Sequence, residues 1–225
     1  MTTGTAGSTR RSYVFTARRI IALVFGVLIG LSGINHGLFE ALQGWKPTNG
    51  LVVQAIGEAQ RMWPRGTEEA FTIVPNFFMT GVLAICAGLM IIVWCIGFLQ
   101  RRNGALVLLV LFIVLFLVGG GIAQALFFLP VWAYSTRINK PLHWWKRILS
   151  VEASRFLSSI WKYILALSSL LFLAALEIAV VGFFPGITNP DTLLYTCWSF
   201  LAVSWILLNA TFIAGFAYDI TRQRP

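Results

Sequence analysis

Five long apolar segments constrain this chain more than any other feature of its sequence. They cover residues 19–42, 68–99, 105–132, 160–183 and 193–216. Each is long enough to cross a hydrocarbon core ~30 Å thick, which takes a helix of about 20 apolar residues. Only 11% of the 225 residues are charged, whereas soluble domains have roughly 25%. The sequence therefore predicts an all-α, polytopic transmembrane helical bundle with about five apolar helices.

One domain accommodates the five predicted helices. We expect it to cover residues 18–220, with a disordered tail at residues 1–17 and a C-terminal tail at residues 221–225. The first residues, MTTGTAGSTRRS, are rich in Gly, Ser and Thr, a composition that buries too little apolar surface to fold. The apolar segment that follows is too long for the core of a signal peptide, so we expect it to be retained as the first span.

Two connections have the composition of segments that lie on a membrane surface. Apolar and polar residues recur with helical spacing at residues 51–63, which predicts a short amphipathic interfacial helix. In the third connection, Trp144 and Trp145 precede Lys146 and Arg147. Aromatic rings and long cationic side chains both favour the headgroup layer, so we expect these four residues to contact anionic lipid headgroups.

The net charge of +9 arises from Lys and Arg residues that cluster beside the apolar segments, so it indicates membrane topology rather than nucleic-acid binding. Five full spans would divide the 17 cations 11 to six across the membrane. A reversal of the third segment at its three glycines, residues 119–121, would divide them 14 to three. The positive-inside rule prefers the reversal. We nevertheless expect five spans with a local irregularity, because non-helical backbone in a bilayer must be shielded by protein.

Polar side chains form a stripe on the first predicted helix. Ser32, His36, Glu40 and Gln43 are three or four residues apart, and this spacing places them on one helical face. An acidic side chain at the centre of a span costs roughly 2.5–3.5 kcal/mol on insertion scales. Such residues therefore face a partner or water rather than lipid.

The second predicted helix offers that partner. Four of its polar residues have the same helical spacing: Glu69, Thr72, Asn76 and Thr80. The two helices must run antiparallel, and at equal depth the pairs would be Ser32 with Thr80, His36 with Asn76, Glu40 with Thr72, and Gln43 with Glu69. Pro75 would kink the second helix and open a pocket beside these residues. We call the eight residues of the two stripes the polar seam.

Three functions are compatible with the polar seam. It can be a structural contact that fixes the register of two helices, as in an accessory subunit of a larger membrane complex. It can bind a proton, a cation or a small polar ligand for transport or sensing, since His titrates near neutral pH. It can also be the site of a small membrane enzyme or metal-binding protein, with His36, Glu40 and Glu69 as ligands. No second His near the seam supports the third function. We therefore expect a non-enzymatic membrane protein without a cofactor, whose seam faces a small cavity.

Two further polar residues lie within apolar segments. We expect Glu177 to pair with Thr196 or Ser199 on the neighbouring helix, and Asn209 to form an interhelical hydrogen bond. The expected partner is the lipid bilayer, and not nucleic acid. A homo-oligomer or a larger membrane complex is also compatible with the sequence.

Several strings in the first two thirds of the chain resemble those of a family of small bacterial multi-pass membrane proteins. They are HGLFEALQG, TIVPNFFMTG, QRRNG, VGGG and TRINKPLHWW, within about residues 20–147. The resemblance implies a bacterial cell (inner) membrane and several spans. It implies no activity, because the family is uncharacterised.

Overall fold

The computed structural model describes residues 16–222, and most of them are helical. The helices are α1 (Ala17–Leu42), α2 (Phe77–Gly97), α3 (Gly104–Leu117), α4 (Ile122–Ser135), α5 (His143–Ile148), α6 (Val151–Val181) and α7 (Pro190–Arg222). Three short strands, β1 (Val52–Gln54), β2 (Glu69–Thr72) and β3 (Val118–Gly121), form an antiparallel sheet in the order β1-β2-β3. The prediction of an all-α helical bundle is confirmed, with a small sheet added to it.

Four helices, α1, α2, α6 and α7, are long and apolar enough to cross a membrane. They pack as two antiparallel pairs, α1 with α2 and α6 with α7. Small residues bring the first pair into close contact, since a Cβ on Gly30 would meet the Gly88 carbonyl and one on Gly37 would meet the Gly81 carbonyl. Close approach of this kind is how helices associate where lipid offers no hydrophobic driving force.

The second pair is joined by hydrogen bonds between two buried serines. The Ser168 hydroxyl donates to the Ser204 carbonyl at 2.8 Å, and the Ser204 hydroxyl donates to the Ser168 carbonyl at 2.8 Å. Because each hydroxyl satisfies a backbone acceptor on the other helix, the contact fixes the register of α6 against α7.

The third apolar segment, which we expect from the sequence to be a span with a local irregularity at residues 119–121, instead takes the alternative form and reverses there. It is divided into α3 and α4 by β3, and the two helices form a hairpin. The Asn139 side chain after α4 donates to the Gln100 carbonyl before α3 at 2.8 Å. The start of α3 and the end of α4 therefore both lie at the end of the bundle where α1 begins. Gly119 allows the reversal, because its φ of 110° is accessible to glycine and strained for other residues.

The non-helical backbone of β3 is shielded by protein on both sides. Its strand neighbour β2 pairs Ala70 with Gly121 and Phe71 with Gly120. The Thr80 hydroxyl donates to the Val118 carbonyl at 2.7 Å. These bonds meet the requirement that counted against the reversal in the sequence, namely that backbone polar groups away from water need internal partners.

Two other predicted helices are also wrong in part. The second apolar segment becomes helical only at Phe77, where Asn76 caps α2 by accepting from the Met79 amide at 3.1 Å. Residues 68–76 precede the helix, so Pro75 does not kink it. Residues 51–63 form β1 and a short 3-10 helix, Glu58–Gln60, instead of an amphipathic α-helix. In both places strand pairing overrides the helical spacing of the side chains.

Most of the two predicted tails falls outside residues 16–222. Within the described chain, Thr16 caps the N-terminus of α1 and accepts from the Arg19 amide. Residues 221 and 222 continue α7 rather than belonging to the predicted C-terminal tail.

The two ends of the bundle differ in charge. The end where α1 begins and α7 finishes, here called the basic end, has 11 of the described Lys and Arg residues. The opposite end, here called the acidic end, has three: Lys46, Arg61 and Arg65. It has six of the eight acidic residues: Glu40, Glu58, Glu68, Glu69, Glu177 and Asp191. The hairpin of α3 and α4 produces this division, because it returns the third connection to the basic end.

Candidate functional site

A cavity of about 560 Å³ lies near the acidic end, between α1, α4, α6 and α7. The chain between β1 and β2 covers it. Trp63 in that chain is buried, and its indole N–H donates to the Ala179 carbonyl of α6 at 3.0 Å. The volume is within the range of small-molecule sites, about 300–1,000 Å³.

The lining of the cavity is polar at one end and apolar along α6 and α7. The polar end includes Ser32, His36, Arg65, Glu68, Glu69 and Gln124. The apolar wall includes Phe172, Leu176, Trp198 and Leu201. The cavity can therefore hold a hydrogen-bonding group and a hydrocarbon group at the same time.

His36 and Glu68 form a pair at the polar end. The His36 Nε2 lies 2.5 Å from the Glu68 Oε2, and the two side chains are 5% and 19% exposed. Glu68 directly precedes β2, whose pairing with β3 holds it above the last turns of α1. The other ring nitrogen of His36, Nδ1, is buried and has no hydrogen-bond partner among residues 16–222.

Gln124 on α4 is the second unusual group at the polar end. It is 4% exposed, and neither atom of its amide has a hydrogen-bond partner in the described chain. A Cβ on Gly121 would meet the His36 ring and would lie 3.2 Å from the Gln124 Nε2. The missing side chain at Gly121 therefore lets these two groups lie beside the same short stretch of β3.

Glu40 is buried apart from the cavity. It has no exposed surface, it is not in the cavity lining, and neither carboxyl oxygen has a hydrogen-bond partner within residues 16–222. Its carboxyl group lies against Gly119, where any side chain would overlap it. The sequence predicts Glu40 and His36 in one site. In the structure both side chains lie against β3, Glu40 at Gly119 and His36 at Gly121, but only His36 lines the cavity.

The structure brings together only part of the polar seam. Ser32, His36 and Glu69 line the cavity, with Glu69 exposed at its rim. His36 pairs with Glu68 rather than with Asn76, and Asn76 caps α2. These differences follow from β2, which replaces the first turns of the second predicted helix.

The remaining seam residues have structural contacts outside the cavity. The Thr72 and Thr80 hydroxyls lie 2.6 Å apart and both residues are buried. The Gln43 amide donates to the Gln54 and Ala55 carbonyls at 2.9 and 2.8 Å, instead of contacting Glu69. Gln43 therefore joins the end of α1 to β1.

The two other polar residues predicted within the apolar segments do not form the expected interhelical contacts. Glu177 is exposed on α6, and the expected partners Thr196 and Ser199 donate to carbonyls of their own helix. Asn209 likewise donates within α7, to the Trp205 carbonyl at 2.8 Å. It lines a second cavity of about 410 Å³ beside α5.

The predicted interfacial residues form α5 at the basic end. Trp144 is exposed, and the Trp145 ring packs on Phe216 with centroids 4.7 Å apart. Lys146 and Arg147 are exposed in the last turn of α5. Their contact with anionic lipid stays a prediction.

Sequence reasoning missed Glu68 and Gln124. The sequence predicts that Glu68 begins the second helix, and this prediction gives no reason to expect it beside His36. Gln124 had a usable signal, since it is an isolated polar residue in an apolar segment, three residues after the glycines. Such residues are costly unless they face protein or a cavity.

No group of three or more His, Cys, Asp or Glu residues within residues 16–222 could hold a metal ion. The three cysteines, Cys86, Cys95 and Cys197, are free thiols.

Comparison of the chain with protein-family models, with curated protein sequences and with solved structures gave no match.

Proposed function

We propose that this chain is a multi-pass protein of a bacterial inner membrane that binds a small ligand in the cavity near its acidic end, for transport or sensing. One observation supports the proposal above all. A cavity of about 560 Å³ is lined by the pair of buried His36 and half-buried Glu68, and by a buried Gln124 whose amide has no hydrogen-bond partner in the described chain.

The energetic cost of these groups favours a binding site over a purely structural contact. A buried polar group without a partner costs roughly 1–3 kcal/mol. Gln124 and the Nδ1 of His36 have no partner within residues 16–222, and both residues line the cavity. If residue 124 had only a packing role, an apolar side chain there would make the fold more stable. Retention of polar groups at a cost to stability is typical of binding sites.

The charge division supports an orientation for the protein. The basic end has 11 described cations and the acidic end three. By the positive-inside rule, this charge division supports a basic end in the cytoplasm and a cavity near the outer surface. His36 lies 18 residues beyond Arg18 on α1, about 27 Å along the helix axis. The polar end of the cavity is thus near the outer boundary of the hydrocarbon rather than at its centre.

The experiment compares two buried serines as cysteine variants, in a chain whose three native cysteines are replaced by Ala. Ser32 lines the cavity, whereas Ser168 is buried between α6 and α7. A methanethiosulfonate reagent with a quaternary ammonium head is added to intact cells. We expect Ser32→Cys to react and Ser168→Cys to remain unmodified, because only the first has a route to water.

A third position tests the orientation in the same cells. Ser150 lies at the basic end, and Ser150→Cys should react only after the membrane is permeabilised. Equal resistance of Ser32→Cys and Ser168→Cys, in intact and permeabilised cells alike, would show that no ligand can enter the cavity from water. Reaction of Ser150→Cys in intact cells would reverse the proposed orientation.

A further inference from the structure

We propose that the ligand of this cavity is an amphipath with a single alkyl chain and an uncharged or cationic head group that donates hydrogen bonds. The inference rests on the proposed function and names the chemistry of the molecule that the site would take.

The alkyl chain is inferred from the apolar wall and from its opening. Leu126 on α4 and Trp198 on α7 both line the cavity, and they are 65% and 54% exposed on the outside of the bundle. The cavity thus reaches the surface between α4 and α7, where the proposed bilayer would lie. Phe172, Leu176 and Leu201 extend the apolar wall inward. An alkyl chain can enter here from lipid without crossing water.

The head group is inferred from Gln124. Its amide has one acceptor and one donor group, and both lack partners in the described chain. A head that only accepts hydrogen bonds would leave the amide oxygen of Gln124 unsatisfied. A carboxamide or hydroxyl head satisfies both, and a protonated amine satisfies the acceptor of Gln124 and the carboxylate of Glu68.

The sign of the head group is inferred from the ionisable groups around the polar end. Arg65 is paired with Asp191 at 2.7 Å, and His36 with Glu68 at 2.5 Å. Glu69 at the rim has no ion-pair partner among the described residues. The charge that remains is therefore negative. An anionic head would approach Glu68 and Glu69 with like charge, which opposes binding.

The test uses three probes with the same 12-carbon chain and different heads: dodecanamide, dodecylamine and dodecanoate, each with a diazirine at mid-chain. Purified full-length protein in lipid nanodiscs is irradiated with each probe at neutral pH, and the labelled peptides are identified by mass spectrometry. We expect dodecanamide and dodecylamine to label α6 and α7 at the cavity wall at least about tenfold more than dodecanoate, each at equal concentration. Equal labelling by dodecanoate would overturn the assignment of the head group.

Two variants test the two parts of the ligand. Gln124→Leu removes the amide without breaking a hydrogen bond within the described chain, so the fold should be retained. It should reduce dodecanamide labelling about tenfold. Gln54→Leu, at an exposed position on β1, is the matched control.

Ala179→Phe places a ring in the cavity and should abolish labelling by dodecanamide and by dodecylamine. Its control is Ala202→Phe, on an exposed face of α7 outside the cavity, which should leave labelling unchanged.

The outcomes separate this inference from the proposed function. If Ser32→Cys is accessible but no probe labels the cavity wall above the level in Ala179→Phe, the cavity binds something other than an amphipath. The ligand class is then wrong and the proposed function stands. If Ser32→Cys is inaccessible and no probe binds, both fail. Unchanged dodecanamide labelling in Gln124→Leu would overturn the role given to the amide.

Discussion

A buried ion pair between the first and last helices should contribute strongly to stability. The Arg18 Nε lies 2.6 Å from the Asp219 Oδ2, and the two side chains are 5% and 3% exposed. The other oxygen of Asp219 accepts from the Ala17 amide at 2.9 Å. Arg18 also donates to the carbonyls of Arg137 and Lys140 after α4. The pair therefore joins α1, α7 and the end of the hairpin at the basic end.

Asp219→Ala should destabilise the protein by about 3–5 kcal/mol, because it leaves the Arg18 guanidinium buried without its counter-charge. The matched control is Asp191→Ala, which breaks the Arg65–Asp191 pair, whose side chains are 54% and 58% exposed. Solvent screens that pair, so its loss should cost less than about 1 kcal/mol. The free energy of unfolding is measured for both variants by titration with SDS in mixed micelles.

A double variant separates the two roles of Arg18. Replacement of a buried ion pair by apolar side chains is often neutral. Arg18→Met with Asp219→Leu should nevertheless remain destabilised by roughly 1–3 kcal/mol, because the carbonyls of Arg137 and Lys140 lose their donor. If Asp219→Ala cost no more than Asp191→Ala, the argument from burial would be refuted. A neutral double variant would show that the two carbonyls are satisfied by other donors.

Three further perturbations have expected outcomes. Gly119→Ala should lower the free energy of unfolding by about 1–3 kcal/mol, because Gly119 has a positive φ and lies against the Glu40 carboxyl. The control Gly97→Ala should have little effect, because a Cβ there meets nothing within 4 Å. Equal changes in the SDS titrations of the two variants would contradict this expectation. Glu40→Met should raise the melting temperature in detergent, since both carboxyl oxygens are buried without a partner in the described chain; a lower melting temperature would indicate that Glu40 stabilises the fold. Replacing Lys146 and Arg147 by Gln should weaken the binding of anionic lipid in nanodiscs by about 1 kcal/mol for each charge removed. If native mass spectra show an unchanged preference for anionic lipid, α5 packs against protein instead.

Local composition identifies the long helices of this protein. Each of α1, α2, α6 and α7 contains an 18-residue window of high hydropathy, and a window of this kind can be read without any knowledge of its neighbours. The division of Lys and Arg among the connections is equally visible, and it correctly preferred a reversal at residues 119–121. The sequence favours a full span over that reversal only because it shows no partner for the backbone of the three glycines.

The partner of those glycines exists only in the tertiary structure. Phe71 and Gly120 are 49 residues apart in sequence and adjacent in the sheet. Strand pairing between distant segments leaves no periodic signal in either one, whereas helical spacing does. For the same reason, the spacing of Glu69 and Thr72 predicts a helical face, although in the structure the pairing of β2 with β1 and β3 overrides it.

The cavity combines both kinds of information. A polar His in an apolar segment indicates that something polar faces it, and His36 does lie at a polar site. Which group faces it is decided by the approach of β2 and β3 to α1, which brings Glu68 to His36 and leaves Glu40 against Gly119, outside the cavity. Spacing along one helix determines which side chains share a face, but only the packing of the other elements determines where a cavity remains between them.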